Sequence, residues 1–223
     1  MKYRKMEKTG DMLSILGYGC MRFPRKNGML DEDRSEKQVI SAIEKGVNYF
    51  DTAYLYPGNE KLLGKILSKG YRDKVKIATK IPIPAIKNKD KILKIFKTQL
   101  KRLQTNYIDY YLIHSLSTFE EWEKLKEIGI ISFVKKEQEA KRIINFGFSY
   151  HGNLVNFKKI VDDYDWDFCM IQYNYIDENY QAGKKGLDYA ASKGLGIIAM
   201  EPLRGGLLVD KLPKKAQNII NNF

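Results

Sequence analysis

The sequence predicts an α/β fold, a TIM-type (β/α) barrel with an N-terminal β-hairpin. Three observations carry that prediction. Short apolar runs that read as strands alternate with amphipathic helical stretches, the pattern of parallel strands joined by crossover helices. Glycines such as Gly46, Gly70 and Gly194 stand where those helices should end, as C-terminal caps do. No G-x-G-x-x-G follows the first strand, so the competing doubly wound sheet lacks its usual nucleotide fingerprint and ranks second.

The elements follow in order. Lys2 to Met6 and Met12 to Leu16 flank Lys8-Thr9-Gly10-Asp11 and predict the hairpin. Leu16 to Met21 is a short strand whose two glycines let other backbone approach. A helix begins near Asp33 and carries Val39, Ile40 and Ile43 at helical spacing, and Tyr49 to Ala53 is the next strand. Asn59 is expected to cap a helix bearing Leu62, Leu63, Ile66 and Leu67. Val75 to Lys80 is a strand, and Asn88 to Gln104 a helix with Ile92, Leu93, Phe96, Leu100 and Leu103 on its buried stripe. Tyr107 to His114 is a strand, followed by helical stretches around Thr118 to Glu127 and Val134 to Arg142. Strands at Ile144 to Tyr150, Phe168 to Tyr173 and Leu195 to Met200 alternate with helices at Leu154 to Asp162 and Lys184 to Lys193. Lys214 to Asn222 is a partial helix. Seven strands can be counted from Leu16 onward, one fewer than a closed barrel has. The expectation is therefore one barrel domain over residues 1–223, seven of eight βα units, truncated at its C-terminal end, with an uncovered sheet edge.

Composition narrows the function classes. At 43% hydrophobic and 30% charged residues the chain is neither disordered nor fibrous. No apolar run approaches the roughly 20 residues of a membrane span, and the charged start Met1-Lys2-Tyr3-Arg4-Lys5 is unlike a secretory signal; the cytosol is the expected compartment. Cys20 and Cys169 are too few and too far apart for a disulfide or metal framework, and read as small core residues. The net charge of +12 invites a nucleic-acid reading. The lysines, however, are spread over helical faces, as at Lys87, Lys89, Lys91, Lys94, Lys97 and Lys101, and no nucleic-acid-binding motif accompanies them. A solvated basic surface is expected, some of which can serve a phosphate-bearing cofactor.

In barrels of this type the reacting groups stand at the C-terminal ends of strands and in the loops just beyond. Asp51 is near the end of the second strand, with Tyr56 in the loop after it. Lys80 ends the third, and His114 the fourth. A phenol titrates near 10 in water, too high for an efficient acid at pH 7. A neighbouring ammonium lowers that value; Asp51 keeps Lys80 charged and in place, and His114 can orient an oxygen that is gaining charge.

With Leu16-Gly17-Tyr18-Gly19-Cys20-Met21-Arg22, Asp51-Thr52-Ala53-x-x-Tyr56, Lys80, His114 and Glu201-Pro202-Leu203, the sequence resembles the aldo-keto reductases over nearly its whole length. The Gly-Cys-Met-Arg and Met-Glu-Pro-Leu-Arg-Gly-Gly elements resemble a microbial subgroup often fused to a C-terminal ferredoxin-like module; no cysteine cluster is present, so no iron–sulfur centre is expected in this chain. The resemblance implies NADP(H)-linked interconversion of small aldehydes or ketones and alcohols, NAD(H) being possible, with Asp51, Tyr56, Lys80 and His114 as the catalytic tetrad and Tyr56 as the acid. It implies cofactor contacts from Cys20, Met21, Asp51, Ser149, Gln172, Met200, Glu201, Leu203, Arg204 and Gly205. Ser149 and Gln172 match positions that hold the nicotinamide carboxamide. Met200 stands where many relatives stack an aromatic ring, and Arg204 with the following glycines suits a pyrophosphate. His151 is expected to be a loop residue near the site. The expected partner is a small-molecule carbonyl, with neither nucleic acid nor membrane. A weak or inactive barrel, serving as a cofactor-binding remnant or as a redox partner in a larger complex, is the alternative.

Overall fold

The computed structural model describes residues 1–210 and 212–220. An antiparallel hairpin, β1 (Tyr3–Lys5) and β2 (Met12–Ser14), comes first, closed by a bond from the Met6 N–H to the Asp11 carbonyl. The third strand, β3 (Tyr18–Gly19), is shorter than the sequence suggests: Leu16 is exposed, and Cys20–Arg22 form a 3-10 turn. A small second hairpin, β4 (Arg25–Lys26) and β5 (Met29–Leu30), precedes α1 (Glu32–Glu44), whose N-terminus is capped by Asp31 accepting from the Arg34 N–H.

Then β6 (Tyr49–Asp51), α2 (Asn59–Leu67), β7 (Lys76–Pro82), α3 (Lys89–Leu103) and β8 (Ile108–Leu116) alternate. Two helices, α4 (Phe119–Ile128) and α5 (Ile130–Glu139), separate β8 from β9 (Ile143–Tyr150); α6 (Leu154–Asp163), β10 (Phe168–Gln172), α7 (Gly183–Ser192) and β11 (Gly196–Met200) follow. Two short helices, α8 (Leu207–Asp210) and α9 (Lys214–Ile220), come last; Asn222, expected to end the last helix, lies outside the described residues.

Local chemistry explains the boundaries. Thr118 and Glu121 form a reciprocal capping box at α4, and Gly129 ends that helix at φ +96°, a backbone state glycine adopts without a Cβ penalty. Asn59 does not cap α2 as expected. Gly58, at φ +80°, is the capping residue, and the Asn59 side chain instead reaches back to the Cys20 carbonyl at 2.6 Å. The α3 stripe is also displaced. Leu93 is exposed and Leu100 half-buried, whereas Ile92, Ile95, Phe96, Gln99 and Leu103 are buried.

Seven strands form one parallel sheet in chain order, β3-β6-β7-β8-β9-β10-β11, so that among the described residues β3 and β11 are its edges. Chain order with every crossover through helix is the wall of a (β/α) barrel, carried through seven strands. A doubly wound sheet would reverse its order partway. The larger apolar cluster packs strands against helices and includes Trp122, Phe146, Phe148 and Trp166. A second cluster fills the inner face: Tyr49, Ala78, Tyr110, Leu112, Phe168 and Met170, plugged from below by Met6 and Leu13 of the hairpin. Met6 lies so close to Gly196 that any Cβ there would stand 2.2 Å from its Cε. No helix among the described residues is long and apolar enough to cross a membrane.

Candidate active site at the rim of the sheet

Side chains alternate across a strand, so the inner cluster fixes which residues face inward above it. Tyr49 places Asp51 inward on β6, Ala78 places Lys80 on β7, and Leu112 places His114 on β8. Gly147 does the same for Ser149, Met170 for Gln172, and Ile198 for Met200. Six consecutive strands thus present a predicted site residue inward at their C-terminal ends. Lys80 and His114 are not the last residues of their strands, as the sequence suggests; β7 runs to Pro82 and β8 to Leu116.

The centre is an ion pair. Lys80 Nζ lies 2.5 Å from Asp51 Oδ1 and donates to the Thr52 carbonyl at 2.9 Å. The Lys80 side chain is 2% exposed and that of Asp51 18%. The Tyr56 loop folds over this pair: Lys80 Nζ is 5.4 Å from the Tyr56 ring centroid, and the His114 ring meets the same ring edge-on at 5.9 Å. The four predicted catalytic residues therefore come together.

Electrostatics at the rim is governed by burial. Burial raises the Asp51 carboxyl, against the opposing pull of Lys80. It also raises the Tyr56 phenol; Lys80 acts in the expected, lowering direction, but desolvation outweighs it. The expected net depression of the phenol is thus not found in the free protein. His114 is pushed down to about 4 by burial first, then by Lys80 and His151, and is neutral at pH 7. His151 is near enough to act on His114 through charge, as a loop residue beside the site. Burial also holds the Cys20 thiol well above its ordinary value, with Asp51 adding to the effect. Both cysteines are free and buried. Among the described residues no group of three or more His, Cys, Asp or Glu side chains could hold a metal ion.

Among the buried polar atoms without a partner, Asp51 Oδ2, His114 Nδ1 and Gln172 Oε1 belong to inward-facing residues of this rim; Thr52 Oγ1 and Asn59 Oδ1, beside the Tyr56 loop, are others. Buried polar atoms are ordinarily satisfied, so such a cluster fits a place for a polar ligand. The remaining predicted contacts divide. Ser149 Oγ accepts from the Ser115 N–H at 2.8 Å, where β8 bulges at φ +59°. Met200 lies beside Gln172 in register. Met21, Glu201 and Leu203 are exposed at the loops after β3 and β11. Arg204 does not stand free for an anion; its Nε is 3.0 Å from Asp177 Oδ2. A Cβ at Gly205, itself at φ +69°, would fall 2.2 Å from the Arg22 guanidinium, so the loops beyond the two edge strands touch through a glycine.

Asp177 is the site residue that sequence reasoning missed. One of its oxygens receives Gln172 Nε2 at 3.2 Å, Asn174 Nδ2 at 2.8 Å and Arg204, which fixes the Gln172 amide by its nitrogen and leaves Oε1 without a partner. Its signal was the Asn174-Tyr175-Ile176-Asp177 turn just after β10, where Asn174 Oδ1 accepts from the Ile176 and Asp177 N–H groups. An open cleft of about 660 Å³, lined in part by Lys101, Tyr107 and Arg142, lies at the N-terminal ends of β8 and β9 and contains none of the predicted residues. Strand-end geometry, not cavity size, locates this site.

Comparison with known proteins agrees with that geometry. The family model described as "Aldo/keto reductase family" matches residues 15–219. An "uncharacterized oxidoreductase YrpG" of Bacillus subtilis is 28% identical over 96% of this chain and 70% of its own. A "probable aldo-keto reductase 1" of Glycine max is 32% identical over 66% of this chain and 48% of its own. The chain thus spans from about half to about seven-tenths of the length of these curated relatives. Among solved structures, the holo form of aldo-keto reductase AKR11C1 from Bacillus halodurans superposes with a TM-score of 0.79 at 27% identity, over 96% of this chain and 71% of that one. An aldo-keto reductase from Klebsiella pneumoniae in complex with NADPH shares the fold, with a TM-score of 0.80 at 20% identity over 100% of this chain and 76% of that one. From the hairpin-plugged wall to the Asp51–Lys80 pair at its rim, this chain belongs to the aldo/keto reductase family of NAD(P)H-dependent oxidoreductases.

Proposed function

We propose that this chain carries the site of an NADP(H)-dependent interconversion of small aldehydes or ketones and alcohols, with Tyr56 as the general acid. The observation that carries the reading is the placement of the Tyr56 ring over the buried Lys80–Asp51 pair and against His114. The bound cofactor supplies or accepts the hydride. Everything else is work for side chains of this protein. The Tyr56 hydroxyl gives its proton to the carbonyl oxygen as negative charge builds there. Lys80, held in place by Asp51, stabilises the phenolate that results. His114, neutral at pH 7, offers a ring nitrogen to the same oxygen and sets its direction.

The residues present fit such a cofactor. Gln172 Oε1, buried and unpartnered while its amide nitrogen is held by Asp177, suits the amide donor of a nicotinamide carboxamide. Met200, paired with Gln172 in register, and Cys20 would border the nicotinamide ring, and the Gly205 turn under Arg22 would let backbone and guanidinium approach a pyrophosphate. Met21, Glu201 and Leu203 would contribute exposed loop surface, and Ser149 the remaining capacity of its hydroxyl. The Klebsiella pneumoniae neighbour, which binds NADPH, favours NADP(H); NADH is the control.

Oxidation of NADPH and of NADH, followed at 340 nm against a panel of small aldehydes and ketones, tests the reading. NADPH-dependent turnover that Tyr56→Phe abolishes is expected. Turnover unaffected by Tyr56→Phe, or no cofactor binding at millimolar concentration, overturns it.

A further inference from the structure

We propose that Glu60, Gln99 and Arg102 form a positioning unit that holds the Tyr56 loop against Lys80 from the outer side of the sheet. The inference rests on the reading of Tyr56 as proton donor and names the groups that set its place. Tyr56 sits in a seven-residue loop between Asp51 at the end of β6 and Asn59 at the start of α2. Within that loop the Tyr56 N–H bonds to the Ala53 carbonyl at 3.0 Å, and the Tyr56 carbonyl accepts from the Asn59 N–H at 3.1 Å. These turns make the loop a stiff piece. Its direction relative to β7 is left to contacts outside it.

Those contacts converge on a buried carboxylate. The Glu60 side chain, 2% exposed, lies in the first turn of α2, on the far side of β7 from Lys80 Nζ. One Glu60 oxygen accepts from Thr79 Oγ1 at 2.7 Å and from Gln99 Nε2 at 3.1 Å; the other accepts from Arg102 Nη1 at 3.1 Å. Two of the three donors, Gln99 and Arg102, also reach the site. Gln99 Nε2 lies 3.1 Å from the Lys80 carbonyl, which the Tyr54 N–H shares at 3.3 Å. Arg102 Nη1 lies 3.4 Å from the Tyr54 carbonyl, and the guanidinium covers the Tyr54 ring at 4.5 Å. Tyr111 completes the set by donating to Gln99 Oε1 at 2.9 Å.

Burying an ion pair is a poor way to gain stability, because desolvation consumes most of the attraction. It is an effective way to define direction, since a carboxylate on one element that takes three donors from two others tolerates few arrangements. Here α2, β7 and α3 are tied at one point, directly behind the backbone that bears Lys80 and two residues from Tyr56. The packing allows it: α2 meets α3 at Gly64, where a Cβ would stand 2.4 Å from the Arg102 carbonyl. Lys80 is thus gripped twice, by Asp51 on its ammonium and by Gln99 on its carbonyl. Misplacing a reacting group by about 1 Å costs about 100-fold in rate; loosening one tie of several should cost less.

The test uses Arg102→Met, which removes a half-exposed guanidinium, with Glu60→Gln as the second variant. Steady-state kcat and KM for a reducible aldehyde, NADPH affinity, melting temperature and hydrogen exchange of residues 52–58 are measured on the whole chain. The expected result is kcat lower by about tenfold with NADPH Kd within about twofold, and faster exchange confined to 52–58 while residues 3–14 of the hairpin keep their protection. An unchanged kcat in both variants overturns the proposal. So does a fall in kcat matched by equal losses in cofactor affinity and melting temperature, or exchange that quickens throughout the chain. If the parent protein oxidises no NADPH, the reductase reading fails; the exchange pattern still decides whether this unit holds the loop.

Discussion

The two ends of the sheet treat buried charge in opposite ways. At the floor, Asp109 is saturated: one oxygen accepts from Arg72 at 2.8 Å and from the Ile77 N–H at 3.0 Å, and the other lies 3.6 Å from Lys76. Lys76 also reaches Asp11 of the hairpin turn at 3.0 Å, and Tyr110 donates to the same Asp11 at 2.7 Å. At the rim, Asp51 has Lys80 on one oxygen and nothing on the other, and His114 and Gln172 each hold a further unpartnered atom. Charge that serves only folding is satisfied by the fold, although a neutral hydroxyl such as that of Tyr49 in the inner cluster stays unpartnered; charge that serves a ligand keeps capacity in reserve. In barrels generally, charge at the lower end serves stability and charge at the upper end serves chemistry.

Mutation should separate the two ends most sharply in rate. Tyr56→Phe or Lys80→Met is expected to lower aldehyde reduction about a thousandfold, while NADPH binding stays within about threefold of the parent. Asp109→Ala should leave the rate per folded molecule unchanged and lower stability by about 3 kcal/mol, because Arg72, 14% exposed, loses its charged partner and the Ile77 N–H its acceptor. Urea unfolding and turnover on the same samples check both halves. A floor variant that lost its rate while fully folded would erase the distinction. The paired change Asp51→Leu with Lys80→Met sharpens it from the other side. Removing both charges should keep stability within about 1 kcal/mol of the parent or raise it, with activity gone.

How much of this was legible in the sequence follows the same division. Tyr49-Phe50-Asp51 and Lys76 to Lys80 lie in short, largely apolar runs that read as strands, and the two-residue period of a strand's backbone then puts Asp51 on the face of Tyr49 and Lys80 on the face of Ala78. The placement of the rim tetrad was readable because three members stand toward the C-terminal ends of strands with a local signal and Tyr56 follows the first of them in its loop. Arg72 with Asp109, and Glu60 with Gln99 and Arg102, were not readable: their partners are 37, 39 and 42 residues apart and no local pattern joins them. Leu93 misled because the α3 stripe continues through Gln99, a polar residue that is buried only because Glu60, Thr79 and Tyr111 satisfy it. The β4–β5 hairpin did carry a signal, Asn27-Gly28, both at positive φ. Its two-residue strands are too short for a periodic reading to find.

A smaller effect comes from pH. His114 titrates near 6.5 when unfolded and about 4 when folded. Between those values the unfolded chain holds a proton that the folded chain does not, so this group's contribution is complete above about pH 6.5 and is lost as pH falls toward 4. Asp51, raised by burial, works against it, since its own contribution is greatest at low pH. Urea unfolding at pH 4.5 and 7 should show the parent losing on the order of 1–2 kcal/mol more than His114→Gln. A loss as large in the variant would mean that His114 is solvated in the folded protein, and that this part of the rim holds nothing in reserve.

The smallest expected effects test whether Arg204 belongs to the reserve or to the saturated class. It is paired with Asp177, and as a half-exposed ion pair it should contribute little: Arg204→Ala is expected to change stability by less than about 0.5 kcal/mol. Its effect on NADPH affinity should stay below about threefold, because the guanidinium is already engaged. Asp177→Ala should weaken NADPH more, by about three- to tenfold, since it frees the Gln172 amide whose Oε1 is proposed to meet the carboxamide. Titrating NADPH into each variant at two salt concentrations decides the order. If Arg204→Ala gives the larger loss, and one that shrinks at high salt, then Arg204 leaves Asp177 for the pyrophosphate when cofactor binds. The expectation drawn from the sequence would then describe the loaded protein, and the Asp177 pair only the free one.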